Sequence, residues 1–228
     1  PDFEGMDEEQ RKKATYQKYL KDYLRTVASI DENVGRVLDY LDEEGLTENT
    51  IVIYTSDQGM FLGEHDYYDK RWMFEEALQM PFLVRYPEEI EAGSTNDDIL
   101  VNIDFAPTFL DYAEASIPDD MQGTSFRSNL TGDTSFDWRN SMYYRYWMHM
   151  ASHQNPAHYG IRTRSHKLIF FYGLPLDAKG AVQEPTPPGW ELYDLEKDPL
   201  ELNNVYSDPA YTDIVTELKT ELDRLKEF

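Results

Sequence analysis

"YTSDQGMFLGEHDYYDK", residues 54–70, follows directly on the apolar run Ile51-Val52-Ile53. The β-branched run reads as a short buried strand that ends at polar residues. In open α/β sheets ligands bind beyond the carboxyl ends of the strands, and Asp57 and Gln58 stand at such an end. A carboxylate beside a side-chain amide oxygen offers hard ligands suited to Ca²⁺ or Mg²⁺, although two ligands do not complete a site. The same residues also suit a plain Asp-Gly turn. Lys70 lies near the start of a helix expected at "RWMFEEAL", where a compact ammonium can hold an anionic oxygen. His65 reads equally as a proton donor, an orienting group or a loop residue.

Outward from this stretch, apolar positions 16, 20, 23, 27, 30, 34, 38 and 41 step by three or four, predicting a long amphipathic helix with a stop at Gly45. "PFLVRYP" predicts a second buried strand, and "DDILVNIDFAPTFLDYAEA" a strand followed by a helix. Helices alternating with buried strands argue for an α/β layer with a parallel or mixed sheet. Near Ser116 the texture changes to a long connection rich in Gly, Ser, Asp and Pro. Beyond it, "SMYYRYW", "YGIRTRSHKLIFFYG" and "WELYDL" predict a small antiparallel sheet. Apolar positions 211, 214, 218, 222 and 225 predict a closing helix that packs on it. The expected division is an α/β part over residues 1–136 and a smaller α+β part over 137–228.

Composition limits the partners. Among 228 residues, 44 are acidic and 21 basic, for a formal charge of -23. That balance argues against nucleic acid, whose phosphates need clustered Lys and Arg, and against docking on anionic membrane. An anionic substrate would need a local positive centre. There is no Cys, which excludes disulfides and thiolate chemistry within these residues. No uninterrupted apolar stretch approaches the length of a membrane span.

"NTIVIYTSDQGMFLGEHDYYDKRWMFEEALQMPFLVRYP" resembles a segment of the type I, formylglycine-dependent sulfatases of the alkaline phosphatase superfamily. In that family a strand ends in Thr-Ser-Asp-(His/Gln/Asn)-Gly, and Leu-Gly-Glu-His, a Lys and a Glu-rich helix follow. "VNIDFAPTFLDYA" matches the family's Asp-x-x-Pro-Thr-x-Leu helix. "WELYDLEKDPLELNNVYSDP" resembles its Glu-Leu-Tyr-Asp-Leu-x-x-Asp-Pro-x-Glu signature. The resemblance implies an alkaline-phosphatase-like α/β sandwich, here its C-terminal half, plus a small α+β subdomain. It implies that Asp57 and Gln58 are metal ligands, usually of Ca²⁺, and that Lys70 contacts the sulfate group. His65 matches a common family histidine. The family nucleophile, a formylglycine made within Cys/Ser-x-Pro-x-Arg, has no counterpart among these residues. The chain is therefore expected to be a C-terminal portion, inactive alone and partnered by a missing N-terminal part. The resemblance also points to a periplasmic or secreted protein.

The stretch "YYRYWMHMASHQNPAHYGIRT" gathers His149, His153 and His158 with Tyr144, Tyr146, Trp147 and Arg162. Such residues suit a sugar-binding rim, and they equally suit sheet core and loop polar groups. Two rival functions remain beside a sulfatase acting on a small sulfated molecule or carbohydrate. One is a phosphonate or phosphate ester hydrolase of the same superfamily, and the other a non-catalytic carbohydrate-binding module.

Overall fold

The computed structural model describes residues 3–227. Its contacts divide the described residues into two compact units, one formed by residues 3–55, 61–69 and 82–92, the other by 56–60, 70–81 and 93–227. Sequence texture suggests a boundary near 136, whereas this division groups residues 93–136 with the C-terminal sheet.

In the first unit, helix α1 (Glu8–Glu43) is longer than its apolar stripe predicts. Its start is fixed by a capping box: Asp7 Oδ1 accepts from Gln10 N–H at 2.8 Å, and Gln10 Oε1 accepts from Asp7 N–H at 3.1 Å. Its end is the expected one, with Gly45 in the left-handed region at φ 66°. Strand β1 (Val52–Thr55) pairs with β4 (Phe82–Arg85), Ile53 opposite Val84. The pair is antiparallel, where a parallel or mixed sheet was expected. Among the described residues β1 has this one neighbour, so it is half-buried rather than fully buried. A two-residue ladder, β2 (Phe61–Leu62) with β3 (Tyr68–Asp69), closes the loop between them.

The second unit is built on a four-stranded antiparallel meander, as the sequence predicts. It runs β5 (Ser141–Tyr146), β6 (His158–Thr163), β7 (His166–Phe171) and β8 (Gly189–Asp194), neighbours in that order. Alternation along these strands makes two different faces. On one, Ile161, Leu168 and Leu192 pack with Leu218 and Leu222 of α5 (Thr212–Leu225), as expected of the closing helix. On the other, Ile169 and Tyr193 pack with Met73, Phe74 and Leu78. That face thus receives the segment following Lys70.

Two predicted elements differ. The helix at "RWMFEEAL" is a single turn, α2 (Glu75–Leu78), and Lys70 lies before it rather than at its start. Phe74 is extended (φ -97°, ψ 160°), and Trp72 and Met73 serve the sheet face instead of a helical stripe. The strand expected near 98–101 does not form. Its polar groups are taken by side chains, Ile99 O by Trp138 Nε1–H at 3.0 Å and Val101 N–H by Asp104 Oδ2 at 2.9 Å. Asp104 is wholly buried, accepts Thr124 N–H at 2.9 Å and pairs with both terminal nitrogens of Arg139. Helix α3 (Phe105–Tyr112) follows it, and the one-turn α4 (Arg127–Leu130) comes later.

The sheet meets Met73 at Gly160, where a Cβ would fall 2.6 Å from Met73 Sδ and 2.4 Å from Leu168 O. Gly189, on β8, would place a Cβ in open space. Gly160→Ala is therefore expected to cost about 3 kcal/mol, the range of core overpacking, and Gly189→Ala less than about 0.5 kcal/mol, as at an ordinary surface site. Urea unfolding of the two variants checks this, and equal midpoints would sink it.

Candidate active site

Asp57 and Gln58 follow β1 and belong to the second unit, as does Lys70. Ser56 Oγ donates to Gln58 O at 2.8 Å and shapes the turn. Gly59 N–H donates to Ala77 O at 2.9 Å, and a Cβ at Gly59 would lie 2.1 Å from Glu76 O. The absence of a side chain there lets the Asp57-Gln58 turn press against α2. The two side-chain ends converge, Gln58 Nε2 donating to Asp57 Oδ1 at 2.7 Å. Turning the amide about its last torsion would place its oxygen beside the carboxylate, the relation of two neighbouring ligands on one hard cation. The donor chemistry fits a divalent metal in kind. In number two groups do not complete a site, and no group of three or more His, Asp or Glu suited to a metal occurs among the described residues.

Lys70 is half-buried at the head of a segment that the sheet grips residue by residue. Arg71 O accepts from Asn155 Nδ2–H at 2.9 Å. Trp72 stacks on His158, with ring centroids 5.7 Å apart and planes 20° apart. Met73 is fully buried, and Phe74 meets Tyr193 edge-on. Glu75 N–H, at the start of α2, donates to Glu201 Oε2 at 2.7 Å. The Glu75 carboxylate receives Arg162 through Nε at 3.3 Å and Nη2 at 3.0 Å. Lys167 Nζ lies 2.9 Å from Glu75 Oε1 and 2.6 Å from Glu201 Oε1, and its side chain is 0% exposed.

These four charges are unequally served. Burial pushes the Glu75 carboxyl up, but the Lys167 ammonium and the Arg162 guanidinium outweigh it and hold it below the usual range. Burial likewise pushes Glu201 up, and there Lys167 offsets the effect only in part. Sequence reasoning missed Glu75, Lys167 and Glu201. One signal was available: Lys167 alternates with Ile169 and Phe171 along β7, which places a lysine on an apolar face.

The remaining candidates are dispersed. His65 belongs to the first unit, half-buried and edge-on to Phe61 at 6.0 Å. His65, Asp66 and Asp69 all have positive φ (53°, 55° and 96°), so this loop holds three non-glycine residues in the left-handed region. His149 and His158 are both 0% exposed and do not line a surface rim. His149 accepts Ala157 N–H at Nδ1 (3.1 Å), so its Nε2–H donates to Glu184 O at 3.0 Å. His158 Nδ1–H donates to Pro156 O at 2.8 Å, its ring enclosed by Trp72, Tyr144, Tyr146 and Phe171. Arg162 is engaged by Glu75. His153 is half-buried, and Trp147 of the same stretch is 53% exposed.

Residues 63–228 match the family described as "N-sulphoglucosamine sulphohydrolase, C-terminal", and residues 2–115 match the family described as "Sulfatase". The chain belongs to the sulfatase family. It is 48% identical over 198 residues to an N-acetylglucosamine-6-O-sulfatase of Bacteroides thetaiotaomicron, covering 86% of this chain and 33% of that protein. An arylsulfatase of Clostridium perfringens is 30% identical over 200 residues, with 86% of this chain and 38% of that protein covered. Among solved structures, one bound to its substrate D-glucosamine-2-N,6-O-disulfate superposes with a TM-score of 0.84 at 46% identity, over 93% of this chain and 41% of that one. A phosphonate monoester hydrolase of Agrobacterium radiobacter, at 24% identity and a TM-score of 0.73, shares the fold. The chain thus has the alkaline-phosphatase-like fold and spans between a third and two fifths of the relatives it matches. Sulfatases as a family use a metal and a formylglycine.

Burial in the aromatic cage pushes the His158 imidazole down to about 4. The unfolded chain takes up a proton near pH 6.5 that the folded chain refuses until about pH 4, so stability falls as pH drops through that window. The loss from this one residue is on the order of 3 kcal/mol. His158→Phe is expected to flatten the limb between pH 6.5 and 4 in urea titrations. Parallel limbs in the variant and the wild type would refute the assignment.

Proposed function

We propose that this chain is the C-terminal part of a sulfatase that hydrolyses sulfate esters of carbohydrates, 6-O-sulfated glucosamine in particular. The observation that carries the reading is the 46–48% identity, over most of the chain, to an N-acetylglucosamine-6-O-sulfatase and to a structure holding a disulfated glucosamine. The phosphonate hydrolase reading rests on fold alone, and the relatives described above are enzymes by name rather than binding modules.

In this reading Asp57 and Gln58 supply two oxygen ligands, held in place by the Gly59 N–H bond to Ala77. A Ca²⁺ or Mg²⁺ ion held by them would supply Lewis-acid stabilisation of negative charge, and a formylglycine, which lies outside these residues, would supply the nucleophile. Lys70 sets its ammonium against a sulfate oxygen, a preorganised positive charge whose worth grows in the transition state. The net charge of -23 makes that local cation necessary, because the surface as a whole repels an anionic substrate. His65 acts as proton donor or orienting group. Trp147 and His153 offer an aromatic face and an imidazole to the sugar, a role that burial makes unsuited to His149 and His158. Residues 137–228 form the smaller subdomain of the whole enzyme.

In the full-length protein, Lys70→Met is expected to lower kcat on N-acetylglucosamine 6-sulfate by about 10²–10³, the loss typical of one oxyanion-stabilising group. Asp57→Asn is expected to release the metal, read by elemental analysis as well as by activity. Lys70→Met within threefold of wild type, or full metal content in Asp57→Asn, would reject these roles. A phosphonate monoester turned over faster than the sulfate ester would favour the rival hydrolase.

A further inference from the structure

We infer that Lys167 and Glu201, distant in sequence from the reacting groups, are positioning residues for Lys70 and for the Asp57-Gln58 turn. The inference rests on the sulfatase reading for its chemical meaning and on the geometry of the second unit for its substance.

Helix α2 is one turn long, too short to hold itself in water. Its first N–H is satisfied by a carboxylate 126 positions away, that of Glu201. Its last turn accepts, through Ala77 O, the N–H of Gly59 that follows the metal-ligand pair. Its first side chain, Glu75, is held by Lys167 at 2.9 Å and Arg162 at 3.0 Å. One short helix therefore links the turn carrying Asp57 and Gln58 to the segment carrying Lys70, and Lys167 with Glu201 fixes that helix to the sheet. Displacing α2 would move both groups together, and misplacement by about 1 Å is enough to cost about 10²-fold in rate.

Glu201 occupies the last acidic position of the "ELYDLEKDPLE" stretch and stands at φ 52°, a left-handed conformation for a non-glycine residue. The turn gives its carboxylate both contacts, to Glu75 N–H and to the buried ammonium. Lys167, wholly buried, has no access to substrate, so its effect on rate passes through α2.

The test uses the full-length enzyme with Lys167→Met and the milder Glu201→Gln, beside Leu218→Ala as a destabilised control in the α5 core. Kinetics are read at a temperature where each variant is folded, and amide exchange is followed over residues 57–60 and 70–79. Lys167→Met is expected to lower kcat at least tenfold, to weaken inhibition by inorganic sulfate, and to speed exchange in both segments. Glu201→Gln should do the same to a smaller extent, and Leu218→Ala should leave kcat and those segments unchanged. If Lys167→Met does not fold, Glu201→Gln carries the same comparison. Wild-type exchange in both segments overturns the inference whatever the activity, and so does faster exchange with kcat and sulfate inhibition within twofold of wild type. A wild-type enzyme inactive on sulfate esters counts against the proposed function alone, and the exchange arm still decides whether Lys167 and Glu201 hold the two segments.

Discussion

A lysine ammonium with no exposure to water has to be neutralised by the protein, and Lys167 is neutralised by carboxylates from two remote stretches of chain. Removing one partner of such a buried set costs about 3–5 kcal/mol, because a charge is left unpaired away from solvent. That constraint places Glu75 and Glu201 against the same sheet face, and Arg162 completes the balance at two positive and two negative charges. The arrangement is specific in a way an apolar contact is not. Leucine tolerates a shift of an ångström, whereas a bidentate guanidinium pair and a helix cap lose their geometry with it.

The sheet serves as a partition between two kinds of packing. Toward α5 it presents Ile161, Leu168 and Leu192, an ordinary helix-on-sheet core. Toward residues 71–78 it presents rings, a thioether contact and the ionic set, so that an irregular segment is held as firmly as a regular element. Loops that carry functional groups need such a scaffold, because their own backbone bonds are few. The wholly buried Asp104 does comparable service for the connection near residue 100, gathering two backbone amides and an arginine.

Much of the fold was legible because it is periodic. Helix α1, the meander and α5 each repeat an apolar spacing long enough to be read. Helix α2 was overread, since Trp72 and Met73 are apolar for the sake of the sheet and not of a helical face. The strand near residue 100 was misread because side chains take the backbone bonds a neighbouring strand would have taken. Asp57, Gln58 and Lys70 stand out through chemistry at a strand end and through family motifs, and the roles given to them are those proposed above. The burial of His149 and His158 was not legible, as density of histidine in sequence says nothing about which way each ring turns. Lys167 and Glu201 escaped notice for a related reason: a buried pair is a property of two positions, and neither shows it alone.

The 126 positions between Glu75 and Glu201 also set an order in time. Contacts so distant in sequence carry a loop-closure cost before they return anything. A ribosome that has finished α1, β1 and the lysine segment has made a helix that cannot yet be capped, beside a strand end that cannot yet be pinned. Both wait for the last sheet strand and the turn beyond it to emerge. In this protein the turn at residues 57–59 and the segment after Lys70 are made well before the residues that give them their final shape.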